Sequence, residues 1–261
     1  LSNGQIGCMW ASEGVWTLGV LDPDDGQLSP LDLPFSSFDG LVLDGMRGIC
    51  VAGAADKPGA VIRVDFGSGD FDVIRASSSL ELEAEWISTP ESIRFRSDGY
   101  SVHAFYYPPT SATHCAGDGE APPLIVIGHG GPTSSTSAVL DARVQFWTTR
   151  GFAVVDVNYR GSTGFGRAYR DALKANWGVA DVSDCVNAAL HLAEVGKADG
   201  ERLIIRGGSA GGFTALAALC FHNVFAAAAS YYGISELEAL ATDTHKFESR
   251  YLDSLIGSYP E

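Results

Sequence analysis

The sequence contains little positive charge and no long apolar run. Its 17 lysines and arginines stand against 32 aspartates and glutamates, which gives a formal net charge of -15. An acidic surface of this kind repels the phosphates of nucleic acids and the headgroups of anionic membranes, so we expect neither as a partner. No stretch reaches the roughly 18 consecutive apolar residues that a membrane-spanning helix needs, so we predict no span.

Cysteines are also few, odd in number and widely separated, at Cys8, Cys50, Cys115, Cys185 and Cys220. None belongs to a C-x-x-C pair or to a Cys/His cluster with metal-ligand spacing, so we expect no metal site and no cofactor. Scattered cysteines are typical of reduced and mostly buried thiols, which favours a cytoplasmic protein. The chain begins at Leu1 inside apparent strand sequence, which leaves a preceding signal peptide open.

Apolar residues make up 46% of the chain, enough for a substantial core and too many for a disordered protein. In the first 90 residues, segments 20–28 and 64–73 each indicate two strands joined by a turn that contains Asp and Gly. Short strands that recur about every 40 to 50 residues are typical of four-stranded propeller blades. We therefore predict that residues 1–90 are C-terminal blades of a partial β-propeller, with a piece of β-sandwich as the alternative.

The pattern changes near Glu91. Segments 92–96 and 100–107 predict a hairpin around Asp98-Gly99, and a polar loop rich in Pro and Gly follows over 110–123. Continuous apolar runs then alternate with helical stretches, which predicts an α/β domain over residues 91–261, with a parallel sheet between helices. The predicted strands are 124–127, 152–157, 203–205 and 225–229, and the predicted helices are 137–150, 181–195 and 212–221.

One motif carries a specific chemistry. Gly207-Gly208-Ser209-Ala210-Gly211-Gly212 lies between a predicted strand and a predicted helix. A G-x-S-x-G sequence in that position is the nucleophile elbow of α/β-hydrolases, where glycines prevent clashes around a strained serine. We predict that Ser209 is the catalytic nucleophile. The alternative is an ordinary glycine-rich turn between strand and helix.

A second glycine-rich segment, Gly128-His129-Gly130-Gly131-Pro132, directly follows the strand predicted at 124–127. In α/β-hydrolases this loop supplies one backbone N–H of the oxyanion hole, and the residue after the nucleophile, here Ala210, supplies the other. Glycine suits this loop because a backbone N–H can approach the oxyanion without a side chain in the way. A plain Gly-Pro turn is the alternative.

The general base and the acid of a catalytic triad cannot be named from the sequence. In this fold the order is Ser, then Asp or Glu, then His, on loops after later strands, and only one predicted strand follows Ser209. Asp243 and His245 lie in a polar stretch without a preceding strand, which indicates the solvated start of a helix more than a catalytic pair. We expect an incomplete hydrolase fold that lacks its C-terminal strands. The remaining histidines are most simply structural: His103, His114, His191 and His222.

Several motifs in order resemble the prolyl oligopeptidase family of serine peptidases, especially its acylaminoacyl-peptidase and dipeptidyl-aminopeptidase-like branch. The resemblance extends from about Val15 to the C-terminus. It implies an N-terminal β-propeller followed by an α/β-hydrolase domain, which agrees with the change near Glu91. The motifs are His129-Gly130-Gly131-Pro132, Asn158-Tyr159-Arg160-Gly161-Ser162-Thr163-Gly164-Phe165-Gly166, Trp177-Gly178 with Asp181 and Asp184, the segment Gly207 to Gly212, and Ser230-Tyr231-Tyr232-Gly233.

The resemblance implies that Ser209 forms an acyl-enzyme and that the N–H groups of Gly131 and Ala210 form the oxyanion hole. Some relatives have a tyrosine that donates to the oxyanion at the position of His129. This chain has a histidine there instead, as acylaminoacyl peptidases do. We expect Arg160 to be a buried structural residue paired with Asp181 or Asp184, so that loss of its partner destabilises the protein more than it lowers specific activity.

Taken together, these expectations describe an internal fragment of a longer serine peptidase that hydrolyses short peptides as an acylaminoacyl-, dipeptidyl- or oligopeptidase. The acid and histidine would lie beyond residue 261, so the fragment itself is expected to be inactive, and oligomerisation of the full-length parent is left open. A carboxylesterase on the same fold is one alternative, because the elbow does not distinguish esters from amides. A non-catalytic propeller interaction protein is the other.

Overall fold

The computed structural model describes residues 1–79, 82–117, 119–244 and 246–257. In its N-terminal part, a three-stranded antiparallel sheet contains β1 (Ile6–Ser12), β2 (Val15–Leu21) and β3 (Leu28–Pro30). A four-stranded antiparallel sheet follows, with the strands in chain order. Its members are β4 (Ser37–Asp44), β5 (Arg47–Ala54), β6 (Lys57–Asp65) and β7 (Phe71–Ala76).

Local turn chemistry and a shared core explain these two sheets. The carboxylate of Asp65 accepts hydrogen bonds from the N–H groups of Gly67 and Ser68, and this bends the chain between β6 and β7. The strand–turn–strand units predicted at 20–28 and 64–73 are confirmed. Both sheets contribute to one hydrophobic cluster that includes Leu18, Val20, Phe38, Ile62 and Val64. The assignment of residues 1–90 to a propeller stays a prediction.

The C-terminal part is built on a six-stranded mixed sheet in the order β13-β12-β10-β11-β9-β8. Strands β10 to β13 are parallel, whereas β9 runs antiparallel to both β8 and β11. The hairpin predicted around Asp98-Gly99 and the parallel sheet are confirmed. The strands are β8 (Glu91–Ser97), β9 (Tyr100–Tyr107), β10 (Leu124–Gly128), β11 (Ala153–Asn158), β12 (Leu203–Gly208) and β13 (Ala227–Tyr231).

Helices cover both faces of this sheet. Apolar residues of α3 (Ala180–Glu194) and α4 (Ala210–Phe221) pack with the strands in the largest hydrophobic cluster. On the other face, Val144 of α1 (Ala142–Thr148) packs against residues of β9, β10 and β11. The remaining α-helices of the described residues are α2 (Arg167–Asp171), α5 (Leu237–Asp243) and α6 (Tyr251–Leu255).

Three sequence expectations need correction. The helix predicted at 137–150 begins only at Ala142, because Asp141 accepts a hydrogen bond from the Arg143 N–H and caps the helix there. Strand β13 begins two residues later than predicted, since its register with β12 starts at the pair Ile204 and Ala227. All five cysteines are free, but only Cys50 and Cys185 are buried, so the expectation of mostly buried thiols is wrong.

Among the described residues, no helix combines the length and the hydropathy that a membrane span needs.

Candidate active site

Ser209 lies on the tight turn between β12 and α4. Its backbone adopts φ 54° and ψ −121°, which is unusual for a residue with a side chain. Two hydrogen bonds hold this conformation: the Ser209 N–H donates to the Tyr231 carbonyl at 3.0 Å, and its own carbonyl accepts from Phe213 N–H at 3.1 Å. Strained backbone of this kind persists only where the surroundings enforce it, and it is concentrated at functional sites.

Glycines allow the turn to form because three backbone segments meet beneath Ser209. A Cβ atom at Gly207 would lie 2.2 Å from the Gly211 carbonyl oxygen. A Cβ atom at Gly211 would lie 2.0 Å from the carbonyl oxygen of Gly128, at the end of β10. No side chain fits at either position, so the glycines around the serine are explained by close backbone approach.

The segment from His129 to Pro132 passes directly beside the nucleophile turn. A Cβ atom at Gly130 would lie 3.5 Å from the Ser209 Cβ, which is ordinary contact distance. Gly131 has φ +56°, and its carbonyl accepts a hydrogen bond from Ser134 N–H at 2.5 Å. On the other side of Ser209, Ala210 is buried at the first position of α4, where N–H groups have no acceptor within the helix. The fold therefore places Gly130 next to Ser209 on one side and the first turn of α4, which begins with Ala210, on the other.

The ring of His129 is held by protein contacts on all sides. It stacks on the Tyr159 ring with centroids 4.1 Å apart and an interplanar angle of 13°. Its Nε2 lies 2.7 Å from the Ser162 hydroxyl, and its Nδ1 lies 3.0 Å from the Gly130 carbonyl oxygen. Desolvation by burial lowers the pKa of His129 to about 4, so the ring is neutral near pH 7. Nδ1 faces the loop at Gly130 and Nε2 contacts Ser162 of the segment after β11, so the ring joins these two segments.

The segment after β11 supports the same loop from below. The hydroxyl of the fully buried Tyr159 donates to the His129 carbonyl at 2.9 Å. Ser162 Oγ donates to the Tyr159 carbonyl at 2.7 Å, and Thr163 N–H donates to the Ser134 carbonyl at 2.9 Å. The sequence indicated the motif that contains these residues, but it did not predict that they support the loop. The contacts join segments about 30 positions apart.

Arg160 is buried and forms ion pairs with two aspartates. Its Nε lies 3.0 Å from both carboxylate oxygens of Asp184, and its backbone N–H donates to Asp184 at 2.7 Å. Its second terminal nitrogen donates to Asp98 at 2.7 Å. The predicted pairing with Asp184 is confirmed, whereas Asp181 has other partners and Asp98 was not foreseen. These contacts connect α3, the β8–β9 turn and the segment after β11.

A cavity of about 800 Å³ opens beside Ser209. His129, Gly130 and Tyr232 form its wall near the serine, and Pro58 and Ser77 of the N-terminal part reach its other side. The Tyr232 backbone is strained at φ 41°, and its ring is exposed. Charged side chains of both signs also line the cavity: Asp141, Arg143, Asp156 and Arg206.

Asp156 is the most perturbed of these charged groups. One of its carboxylate oxygens accepts a hydrogen bond from the Thr136 hydroxyl, while Oδ1 is buried without a hydrogen-bond partner. Desolvation by burial raises the pKa of Asp156 to about 7. A carboxyl group with this pKa is partly neutral under physiological conditions.

Apart from His129, the described histidines have contacts that do not include Ser209. His103 packs 4.5 Å from the Phe165 ring, His114 contacts Thr113, and His191 stacks at 6.0 Å on Phe95. His222 caps the C-terminal end of α4. Within the described ranges, no hydrogen bond joins the Ser209 hydroxyl to a histidine, and no three His, Cys, Asp or Glu side chains could hold a metal ion. His245 and the Asp243 side chain lie outside what the structure describes.

Comparison with known proteins identifies related chains. The sequence profile of the Prolyl oligopeptidase family matches residues 138–261. The chain is 44% identical to a puromycin-hydrolyzing peptidase of Mycobacterium tuberculosis, with a TM-score of 0.95 over 100% of this chain and 40% of that one. A serine-to-alanine mutant of puromycin hydrolase in complex with PGG is 41% identical, with a TM-score of 0.93 over 99% of this chain and 40% of that one.

A curated relative gives the same picture from sequence. Dipeptidyl aminopeptidase BIII of Pseudoxanthomonas mexicana is 29% identical over 219 residues, which is 82% of this chain and 31% of that protein. The chain therefore spans about a third of this curated relative and 40% of the solved structures it resembles.

Proposed function

Because the chain belongs to the prolyl oligopeptidase family, we propose that it carries the nucleophile of a serine peptidase that hydrolyses short peptides through an acyl-enzyme on Ser209. The observation that carries this proposal is the backbone of Ser209, strained at φ 54° beside the loop of Gly130 and Gly131. Such a turn presents a serine hydroxyl to a cavity, next to backbone N–H donors.

The geometry supports a division of roles. Ser209 Oγ attacks the carbonyl carbon of the substrate, and the negative charge that develops on the carbonyl oxygen is stabilised by the N–H groups of Gly131 and Ala210. Loss of one such donor typically costs about 3 kcal/mol of transition-state stabilisation. The amine leaves, and water then releases the acyl group from Ser209. A histidine base and its acidic partner are proposed to come from outside the described residues.

Peptides are favoured as substrates by the relatives and by the cavity. The relatives in question are a puromycin-hydrolyzing peptidase and a dipeptidyl aminopeptidase. Pro58 of β6 and Ser77, which follows β7, line the same cavity as Ser209, so the N-terminal part limits the size of what reaches the serine. We assign residues 1–90 to blades of a β-propeller and residues 91–261 to part of the hydrolase domain. Free cysteines, two of them exposed, support a cytoplasmic location.

A substrate panel tests the proposal on the whole protein. Aminoacyl, dipeptidyl and N-acyl-aminoacyl amides of a fluorogenic amine are compared with a simple p-nitrophenyl ester, and Ser209→Ala is the matched control. We expect amide hydrolysis that Ser209→Ala abolishes. Hydrolysis of the ester alone would show a carboxylesterase instead. If neither substrate turns over and no fluorophosphonate labels Ser209, the protein is a non-catalytic member of its family.

A further inference from the structure

A buried carboxylate connects two separate segments beneath the candidate oxyanion hole. Asp181, on α3, is completely buried. One of its oxygens accepts a hydrogen bond from Gly178 N–H at 2.6 Å, and the other accepts from the Thr214 hydroxyl at 2.5 Å. Thr214 is also completely buried, and it belongs to the second turn of α4. The sequence predicted Asp181 only as a candidate partner of Arg160, a place that Asp184 takes.

The contact made by Asp181 reaches the residue that follows the nucleophile. Thr214 Oγ1 lies 3.1 Å from the carbonyl oxygen of Ala210, one turn earlier in α4. Next to Thr214, Phe213 packs on Trp177 with ring centroids 5.2 Å apart, and its N–H donates to the Ser209 carbonyl. The start of α4 is therefore fixed to α3 and to the segment before α3 by adjacent polar and apolar contacts.

We propose that Asp181 and Thr214 are positioning residues for the oxyanion hole: they fix the first turn of α4 and thereby orient the Ala210 N–H. This inference rests on the proposed function, because it assumes that Ala210 donates to the oxyanion. Neither side chain faces the cavity beside Ser209, so neither is expected to touch a substrate.

The single proton of the Thr214 hydroxyl limits the hydrogen bonds that this residue can donate. The Thr214 hydroxyl has one proton and two acceptors, Asp181 and the Ala210 carbonyl. When Asp181 is ionised, the proton lies toward the carboxylate, which is the stronger acceptor. When Asp181 is neutral, its own proton is donated to Thr214 Oγ1, and Thr214 then donates to the Ala210 carbonyl. Thr214 stays bridged to Asp181 in both states.

The number of protons and acceptors at each side chain predicts which substitutions preserve the hydrogen bond between residues 181 and 214. An asparagine at position 181 accepts from Gly178 N–H through Oδ1 and donates to Thr214 through Nδ2, so Asp181→Asn retains both contacts. Desolvation by burial raises the pKa of Asp181 to about 6, and the neighbouring Asp184 adds to this shift. A neutral side chain at this position is therefore compatible with the fold. Thr214→Val keeps the shape but removes the hydroxyl, whereas Thr214→Ser keeps the hydroxyl.

The experiment compares these variants in the whole protein with the best amide substrate. We expect Thr214→Val to lower kcat about 10-fold with KM changed less than 2-fold, because an oxyanion donor acts mainly in the transition state. Thr214→Ser and Asp181→Asn are expected to retain at least half of the wild-type kcat. Affinity for a peptide aldehyde, whose adduct with the serine carries an oxyanion-like oxygen, is expected to fall with kcat in Thr214→Val.

A merely structural role gives a different pattern. Loss of thermal stability in Thr214→Val with unchanged kcat and unchanged aldehyde affinity would overturn the proposal. So would equal losses of kcat in Thr214→Val and Thr214→Ser. If Thr214→Val does not fold, Thr214→Ala and Asp181→Ala are measured, with Asp181→Asn as the matched control. A wild-type protein that neither hydrolyses amides nor reacts at Ser209 contradicts the proposed function itself, which separates the two failures.

Discussion

Tyr159 and His129 contact each other twice, through stacked rings with centroids 4.1 Å apart and through a 2.9 Å hydrogen bond from the Tyr159 hydroxyl to the His129 carbonyl. Together with the Ser162 hydroxyl on Nε2, these contacts fix the backbone that leads into Gly130 and Gly131. The position of the proposed Gly131 donor therefore depends on the His129 ring and on the residues that hold it.

His129→Ala tests this dependence. Without the ring the loop loses its stacking and its contact with Ser162, so we expect kcat/KM for an amide substrate to fall about 100-fold, as for loss of an oxyanion donor. Tyr159→Phe is the matched control, because it removes one hydrogen bond and keeps the stacking, and we expect a fall of only a few-fold. Wild-type kcat/KM in His129→Ala would show that the loop keeps its position without the imidazole.

Gly211→Ala tests the close approach beneath the nucleophile. The added Cβ would lie 2.0 Å from the Gly128 carbonyl oxygen, so the backbone must shift. We expect the free energy of unfolding to fall by more than about 3 kcal/mol. Urea unfolding measures the change. Gly200→Ala is the control, since its Cβ would meet only the Ala193 Cβ at 3.5 Å, an ordinary contact. Equal stability of the two variants would contradict the tight packing of Gly211 against β10.

Arg160→Met tests the buried ion pair. The Asp184 side chain is completely buried, so removal of the guanidinium leaves it without its charged partner, and we expect a loss of about 3 to 5 kcal/mol. Arg63→Met is the control, because the Arg63–Asp72 pair is exposed and such pairs contribute about 0 to 1 kcal/mol. Chemical unfolding of both variants gives the comparison. The expectation is wrong if Arg160→Met loses activity while its stability stays that of wild type.

The raised pKa of Asp156 predicts a pH-dependent stability. Its pKa is about 7 in the folded protein, against about 3.9 in an unfolded chain, so the folded state holds the proton more tightly. The stabilisation by the neutral form is fully present below about pH 4 and is lost as the pH rises through about 7. Asp156→Asn stays neutral, so its free energy of unfolding relative to wild type should rise by about 3 kcal/mol between about pH 5 and 8.

Urea unfolding across this pH range measures the Asp156 effect. Asp72→Asn, at an exposed position, is the control for the removal of a carboxylate charge. A stability difference between Asp156→Asn and wild type that does not change with pH would show that Asp156 stays charged in the folded protein.

Features of the site that depend on adjacent residues could be predicted from sequence. The strand, the glycines, Ser209 and the following helix are contiguous, so their joint pattern indicates the turn before any tertiary contact is known. The β8–β9 hairpin was predictable for the same reason, because Asp98-Gly99 forms its turn and the apolar residues of both strands lie in sequence around it.

Contacts between distant segments could not be predicted in the same way. Asp98 and Arg160 are 62 positions apart, and no local pattern indicates that a turn residue pairs with a buried arginine. Asp181 and Asp184 are both buried on α3, so sequence alone left Arg160 with two candidate partners. The late start of α1 has a similar origin. In the loop before the helix, the Thr136 hydroxyl donates a hydrogen bond to Asp156 of β11, and the residues that hold this contact do not continue the helix.

The most direct measurement is of the acyl-enzyme itself. The whole protein is mixed with a good amide or activated ester of a short N-acyl peptide, quenched in acid within the first turnover, and mapped by peptide mass spectrometry. The account predicts that the peptide containing Ser209 gains the mass of the acyl group, and that Ser209→Ala shows no such gain. Substrate turnover without any acyl group on Ser209, or acylation at another residue, would contradict it.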